Sequence, residues 1–484
     1  MVQTYRLLVM GLLMILILAG SASGVPNSTT RISAADVVAK IKSGEPVDYR
    51  NVTIEGNLDL SGLNAPVSQA VSITNSHIDS INFDGITFEG PLDMRGSVFQ
   101  KSASFAKAKF LTDALFTGSM FMGLTDFRYA NFADLASFTS AMFFNDTSFG
   151  NAQFGGVARF LDASFAKDVD FNYAQFSKIA SFWNVSFHNV SFLGTKFIDQ
   201  TSFGYARFDG NSIFAGTNFG SDAVFKSSIF RGNTTFGLSK FDGLCDFTGV
   251  NFKVMATFLG TKFSDNVYFT NAKFDKDLIF EGARIYSIQL DDVVFAKDSK
   301  INLKDADFTR FVVRWNTIKD RLIYNGAAYQ ALVKNYKNLE WFDDADECYY
   351  QYRMTTMSQE PWGWIKIIDI ISWLSCGYGV RVSYVTFWCL FTIIFFGAVY
   401  WAGNGMRRFE LSGREVPTDG ETTNGDRTSL TDAVYFSVAM FTTSQAPYYN
   451  YPVGFYRHLA MFEGILGWFF LGLFIVVLSG VLIR

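Results

Sequence analysis

Four cysteines and three histidines in 484 residues leave little material for metal or covalent chemistry. Cys245, Cys348, Cys376 and Cys389 lie far apart, which excludes a disulfide framework and any Cys/His ligand spacing. Buried thiols are the expectation, with no metal and no cofactor. His77, His188 and His458 stand beside no nucleophile-like motif, and no glycine-rich phosphate loop follows a strand. Charge is sparse too: 18% of residues are charged and the net charge is −4, a balance that points to no nucleic-acid partner. Aspartates are scattered through short linkers, where Asp serves as a turn residue, and are not gathered into the carboxylate cluster that polysaccharide-cleaving enzymes need. No catalytic residue is identified, and no enzyme is expected.

What the chain has in quantity is phenylalanine, 53 residues of it. From Phe105 through Phe110, Phe116, Phe121 and Phe127 to Phe187 it recurs in alternating steps of five and six. One extra five-step follows (Phe187, Phe192, Phe197), and the beat then runs on to Phe280. On a helix such steps scatter the rings around the cylinder. In a straight strand a step of five reverses the face, so corners must be built into the repeat. A small residue stands two before many of these rings, with a polar one between, as in Ala108-Lys109-Phe110, Ala174-Gln175-Phe176, Ala206-Arg207-Phe208 and Thr261-Lys262-Phe263. That in-out-in pattern predicts short strands, small and Phe side chains inward, the middle residue in water, and a corner after each: a parallel β-helix.

In this spacing the chain resembles the pentapeptide-repeat family over roughly residues 52–310. The resemblance implies a right-handed parallel β-helix with a square coil and stacked Phe as its core. Because one unit in two is six residues long, a coil holds about 22 residues here where the family has about 20.

Solenoid ends must be capped. Ile32-Ser33-Ala34-Ala35-Asp36-Val37 reads as a helix start with Ser33 as N-cap, and Gly44 can end the helix. Residues 33–43 are the expected cap. Beyond the fading beat, Ala327–Tyr336 and Asp344–Tyr350 read as two helices joined near Trp341-Phe342-Asp343, a hairpin before the membrane part. At the N-terminus, an apolar run over residues 7–18 after Arg6, followed by Ala22-Ser23-Gly24, reads as a cleaved secretory signal, with an uncleaved anchor as the alternative. Asn-x-Ser/Thr sequons at Asn27, Asn51, Asn145, Asn184, Asn189 and Asn233 fit a surface-exposed solenoid.

Residues 384–484 differ in character. Tyr384–Trp401 and Leu459–Ile483 are apolar enough to cross a bilayer, with a polar loop from Asn404 to Thr428 between them. Ser429–Thr443 is amphipathic, starts with the capping pair Ser429 and Asp432, and is too short to span, which suits a re-entrant helix. Tyr451-Pro452-Val453-Gly454 follows, then a helix carrying Gly464, Gly467, Gly472 and Gly480.

This order resembles the two-transmembrane potassium-channel pore module. Asp432–Ser437 and Phe441-Thr442-Thr443 match its pore helix, and Tyr451-Pro452 and Glu463-Gly464 match its turn and inner helix. The resemblance implies passage of monovalent cations through a homotetramer, a pore or filter lined by Thr442, Thr443, Ser444, Gln445, Ala446, Pro447 and Tyr448, and an inner-helix hinge at Gly464 and Gly467. It also places Glu463 behind the pore helix. The filter departs from the family: Ser444-Gln445-Ala446-Pro447-Tyr448-Tyr449-Asn450 stands where the family has Gly-Tyr-Gly-Asp. Both glycines that permit the carbonyl-lined backbone are missing, and Pro447 fixes φ.

The expected organisation is a signal segment (1–24), a helical cap (25–51), the repeat β-helix (52–310), a helical-hairpin linker (311–360), an interfacial helix (361–383) and the pore-like domain (384–484). A cleaved signal puts the solenoid outside the cell membrane, free to meet an extracytoplasmic ligand, and leaves the re-entrant loop on the cytoplasmic side, opposite to potassium channels. A third span over Trp362–Leu374 would restore parity at a cost of roughly 2.5–3.5 kcal/mol for each of Lys366 and Asp369 near mid-bilayer. An interfacial helix with its Trp residues at the headgroups is the favoured reading of that segment. Two functional classes stay open, an ion channel carrying a sensing or docking domain and a non-conducting, membrane-anchored surface protein for protein interaction.

Overall fold

The computed structural model describes residues 30–408, 428–447 and 450–482. The signal segment, the sequon at Asn27, most of the polar loop (409–427) and Tyr448 lie outside the described residues. The chain forms two compact units, one running to Val313 and including Arg321–Ile323, the other made of Arg314–Asp320 and Tyr324 onward.

The first unit is a parallel β-solenoid of about 13 turns with a Phe-rich core. Its strands are mostly two residues long and fall into four columns, each strand pairing in parallel with its counterpart one coil on. Lys109-Phe110 pairs with Asn131-Phe132, Ala114-Leu115 with Ala136-Ser137, Met120-Phe121 with Met142-Phe143, and Thr125-Asp126 with Thr147-Ser148. The register advances by 22 residues per coil, as the beat implies. In-register stacking puts like on like, so rings lie one strand spacing apart: Phe105, Phe127 and Phe149 stack at 4.6 and 4.9 Å with interplanar angles of 2° and 0°. Adjacent columns meet edge to face, as Phe127 does Phe138 at 5.3 Å and 81°. Every Phe of the beat is buried, and so is the small residue two before it in Ala108, Ala174, Ala206 and Thr261. Where that small residue carries a hydroxyl, it donates to a backbone carbonyl, mostly one of the preceding coil, as Thr217 does to Phe192 O (2.8 Å) and Thr261 to Phe236 O (2.7 Å), while Ser228 donates to Phe225 O of its own coil. The buried polar atom is thereby satisfied. The middle residues are exposed at Lys109, Gln153, Lys262 and Lys273 but only half-buried at Gln175 and Arg207, because long side chains lie along the ladder surface.

The alternation of five and six has a backbone cause. Apart from the extra one, each five-step contains a β-turn closed from Phe to the small residue, such as Ala108 N–H to Phe105 O (3.1 Å), with a left-handed residue in its third position. Lys107, Gly118, Tyr129, Ser140, Asn151, Asp162, Tyr173 and Asn184 hold those positions at φ between 55° and 68°, eleven residues apart. Each six-step is a wider bend that needs no positive φ. The extra five-step comes from a wide bend that has lost one residue: His188-Asn189 links two strands where Ala166-Lys167-Asp168 does so one coil earlier. All four columns absorb the loss once, Val169 pairing with Val190 and Gln175 with Lys196 at 21 residues, before 22 resumes. Aspartates act at these corners as expected, accepting turn amides: Asp126 from Arg128 N–H (2.8 Å) and Asp170 from Asn172 N–H (2.7 Å).

The ladders start earlier than the beat. Thr30–Ser33 pairs with Val52–Glu55, and Val47–Arg50 with Val71–Thr74, so the segment read as a helical cap also supplies strands. Their inward residues are Val, Ile and Leu, which the Phe spacing does not display. Helix α1 (Ala34–Lys42) lies against strand Val52–Asp59 with Ala34, Val37 and Ile41 buried; its N-cap Ser33 accepts from Ala35 N–H, and Gly44 follows at φ 79°. At the far end Asp307–Val312 closes the last pairing with Arg284–Gln289.

In the second unit, α2 (Gly326–Asn338) and α3 (Phe342–Gln359) form the expected hairpin, with Tyr329, Leu332, Tyr336, Ala345 and Cys348 buried. Burial pushes the Tyr329 hydroxyl up to about 12 and raises Tyr336 and the Cys348 thiol far above their ordinary values. Groups whose folded pKa is raised stabilise fully below their unfolded values and lose that contribution as pH rises. The hairpin is therefore expected to weaken from about pH 9, the thiol's ordinary value, through about pH 12. Absorbance titration should show tyrosines ionising later than exposed ones and together with loss of helix; uniform ionisation near 10 with the helices intact would contradict this.

Helix α4 (Trp364–Cys376) has 13 residues, about 20 Å, short of the roughly 30 Å hydrocarbon core. Its charges are partnered within the unit: Asp369 pairs with Arg353 of α3, and Lys366 Nζ donates to Glu360 O at 2.9 Å. Its other side exposes Trp364, Ile365, Ile368 and Ile371. Helix α5 (Val382–Ala402) begins two residues before the boundary expected at 384. Helices α6 (Leu430–Thr443) and α7 (Tyr456–Leu482) complete the unit. Helix α5 and residues 456–480 of α7 are long and apolar enough to cross a membrane. Of the thiols, Cys245, Cys348 and Cys376 are buried as expected, but Cys389 is half-buried, since α5 presents part of its surface outward.

Candidate functional site

Helix α6 begins as its sequence requires, with Ser429 Oγ accepting from Asp432 N–H at 3.1 Å. Fourteen residues give it about 21 Å, and it packs against both α5 and α7. Phe396 and Tyr400 of α5, Ala433, Phe436 and Met440 of α6, and Ala460 of α7 make one buried cluster, with Met406 from the segment after α5. Inside the same contact Glu463 of α7 is fully buried. Tyr400 donates its hydroxyl to Glu463 Oε2 at 2.8 Å, and Ser437 Oγ hydrogen-bonds Oε1. Glu463 thus joins α7 to both α5 and α6. Tyr400 and Ser437 were not singled out in the sequence, although an acid in an apolar span is itself a sign that polar partners are near.

Small residues set how closely these helices approach. A Cβ on Gly467 would lie 2.0 Å from the Phe441 carbonyl oxygen, and one on Gly464 would lie 2.8 Å from Ser444 Oγ. Both glycines stand where the end of α6 crosses α7, and α7 runs unbroken through them. Gly403 and Gly405 escaped the sequence reading for want of any local pattern; they make room for the Tyr456 ring, whose atoms would come within 1.8 and 2.5 Å of an added Cβ.

The end of α6 and the residues just after it are exposed from Thr442 to Ala446. Thr442 and Thr443 are exposed, each hydroxyl donating to the carbonyl four residues back, Val438 O and Ala439 O, at 2.7 Å. Ser444 takes φ 53° and turns its Oγ to α7, where it accepts from Trp468 Nε1 at 2.8 Å. Gln445 and Ala446 are exposed and Pro447 half-buried. Asn450–Pro452 then pairs antiparallel with Met406–Arg408, tying the segment back to the end of α5. Met440, Ser444, Ala446, Arg457, Gly464 and Trp468 border a cleft of about 460 Å³. Its lining is mainly apolar. Among the described residues no group of His, Cys, Asp and Glu is placed to hold a metal ion.

The solenoid's chemistry is of another kind: an uninterrupted aromatic core wrapped in turns. Residues 83–131, 127–175, 182–229 and 236–284 match the family description "Pentapeptide repeats". The solenoid is built of pentapeptide repeats. No curated protein matches the chain. The repeat solenoid is thus joined in one chain to C-terminal helices, two of which have the length and composition of membrane spans.

Proposed function

We propose that the protein is a membrane ion channel of the two-transmembrane potassium-channel-like type, with a degenerate filter and a large extracytoplasmic repeat domain for sensing or docking. The observation that carries this reading is α6, a helix too short to span that is wedged between two span-length helices and held by the buried Glu463. At membrane depth such a helix persists only where protein or a water-filled cavity surrounds it. One span-loop-span cannot enclose a pathway, so the reading requires a ring of copies, a homotetramer by resemblance. The lipid bilayer and monovalent cations are its partners, together with a ligand of the solenoid. Catalysis has no part in it.

Thr442 and Thr443 are the lining residues this reading favours, with Gln445 and Ala446 beyond them. Ser444 acts from behind, through Trp468. A lining of hydroxyl and amide groups lacks both a carbonyl cage and a charge ring, so cation selectivity is expected to be weak. In planar bilayers the purified protein should pass potassium and sodium within about tenfold of each other, a difference of less than about 1.4 kcal/mol. Strong potassium preference would overturn the degenerate-filter reading. Absence of current would leave the second reading, a non-conducting membrane-anchored repeat protein, which the solenoid and the two apolar helices support by themselves.

A further inference from the structure

Three hydrogen-bonded contacts run in series through the buried centre of α5, α6 and α7. Tyr400 Oη meets Glu463 Oε2 at 2.8 Å, Glu463 Oε1 meets Ser437 Oγ, and Ser437 Oγ meets the Ile393 carbonyl oxygen at 2.8 Å. Each contact needs one proton. The tyrosine hydroxyl has one, the serine hydroxyl has one, and a carbonyl has none. Two protons cannot serve three contacts.

If Glu463 were ionised, the one proton of Ser437 would have to be divided between the carboxylate and the half-buried Ile393 carbonyl, leaving at least one of these close oxygen pairs without a full hydrogen bond. If Glu463 carries a proton on Oε1, every contact is served: Tyr400 donates to Glu463, Glu463 to Ser437, and Ser437 to Ile393. The Ile393 carbonyl can accept this bond beside its helical one, since it has two lone pairs. The surroundings agree with a neutral group. Glu463 is fully buried, and Phe396, Phe436, Met440 and Ala460 pack around the same three-helix contact.

We infer that Glu463 is held as a neutral carboxylic acid, a clasp with one accepting and one donating oxygen that positions α6 against both neighbouring helices. This goes beyond the channel reading and stands whether or not the protein conducts. It makes Glu463 a positioning residue, acting on α6 through Ser437. The polarity of the chain also fixes which isostere can replace it. Glutamine offers the same arrangement, a carbonyl oxygen to accept from Tyr400 and an amide N–H to donate to Ser437. Alanine offers neither.

The test uses the full chain in lipid nanodiscs at neutral pH. Infrared difference spectra between wild type and Glu463→Gln should show loss of a protonated-carboxyl carbonyl band that shifts in D2O. Tyr400→Phe should move that band to higher frequency, because the carbonyl oxygen loses its donor. In thermal unfolding followed with a thiol-reactive dye, Glu463→Gln should keep the midpoint within about 2 °C, whereas Glu463→Ala should lower it by more than about 5 °C. The inference is overturned if the substitution removes ionised-carboxylate bands, or if Gln destabilises as much as Ala. Should Glu463→Ala fail to fold, the infrared comparison of wild type with Glu463→Gln decides alone.

Discussion

Phe176→Ala is expected to destabilise the solenoid by roughly 3–5 kcal/mol, and Gln175→Ala by less than about 0.5 kcal/mol. The two side chains are sequence neighbours on one strand, yet their surroundings differ completely. Phe176 is fully buried, stacked at 4.5 Å on Phe154 and 4.8 Å on Phe197, with Phe182 edge-on at 5.8 Å. Removing the ring leaves a cavity that the rigid ladders above and below cannot close, so the lost transfer energy and the cavity cost add. Gln175 is half-buried and lies along the outer surface. A urea titration of residues 25–323 followed by circular dichroism measures both; equal losses would show that the inward and outward faces have been assigned wrongly.

Single-residue deletions should separate the two kinds of corner even more sharply. Removing Tyr173 takes away the left-handed residue of the Phe171–Ala174 turn, closed by Ala174 N–H to Phe171 O at 3.0 Å. The following strand then arrives one residue early, which exchanges its inward and outward side chains and sets Phe176 where Gln175 belongs and Ser177 where Phe176 belongs. Loss of cooperative folding is the expected outcome. Removing Lys167 shortens a wide bend instead, reproducing the two-residue link His188-Asn189 found one coil later in the same column. That deletion should cost no more than roughly 1–2 kcal/mol. Limited proteolysis of the two variants beside wild type makes the comparison, and equal sensitivity would remove the distinction between turn and bend.

The solenoid was legible because its rule is local. A two-residue strand has one inward side chain, and a parallel coil repeats it at a fixed interval, so spacing alone reveals coil length, column and core. Even the shortened coil stands in the sequence as the step from Phe187 to Phe192 to Phe197. The rule fails at the first coils, where Ile54, Leu58, Ile73 and Ile78 fill the core without the Phe signature. It is silent as well on why five and six alternate, since a left-handed residue in these turns can be Lys, Tyr, Ser, Asn, Asp or Gly. Only the in-register neighbour one coil away makes that geometry worth its local strain.

The C-terminal helices were legible as elements and not in their contacts. Apolar length gave α5 and α7, and the Ser429–Asp432 cap gave the start of α6, because each depends on residues adjacent in sequence. The turning of Ser444 toward Trp468, the close approach at Gly467 and the assembly of Tyr400, Ser437 and Glu463 join residues 24 to 63 positions apart. No periodicity encodes such meetings. By itself the sequence determined the repeating architecture and the division into a repeat part and an apolar part, since both follow from the pattern of apolar residues along the chain. Tertiary structure alone decided which polar groups share protons and which glycines are contacts, because hydrogen bonds and steric limits are set by the positions of three helices at once.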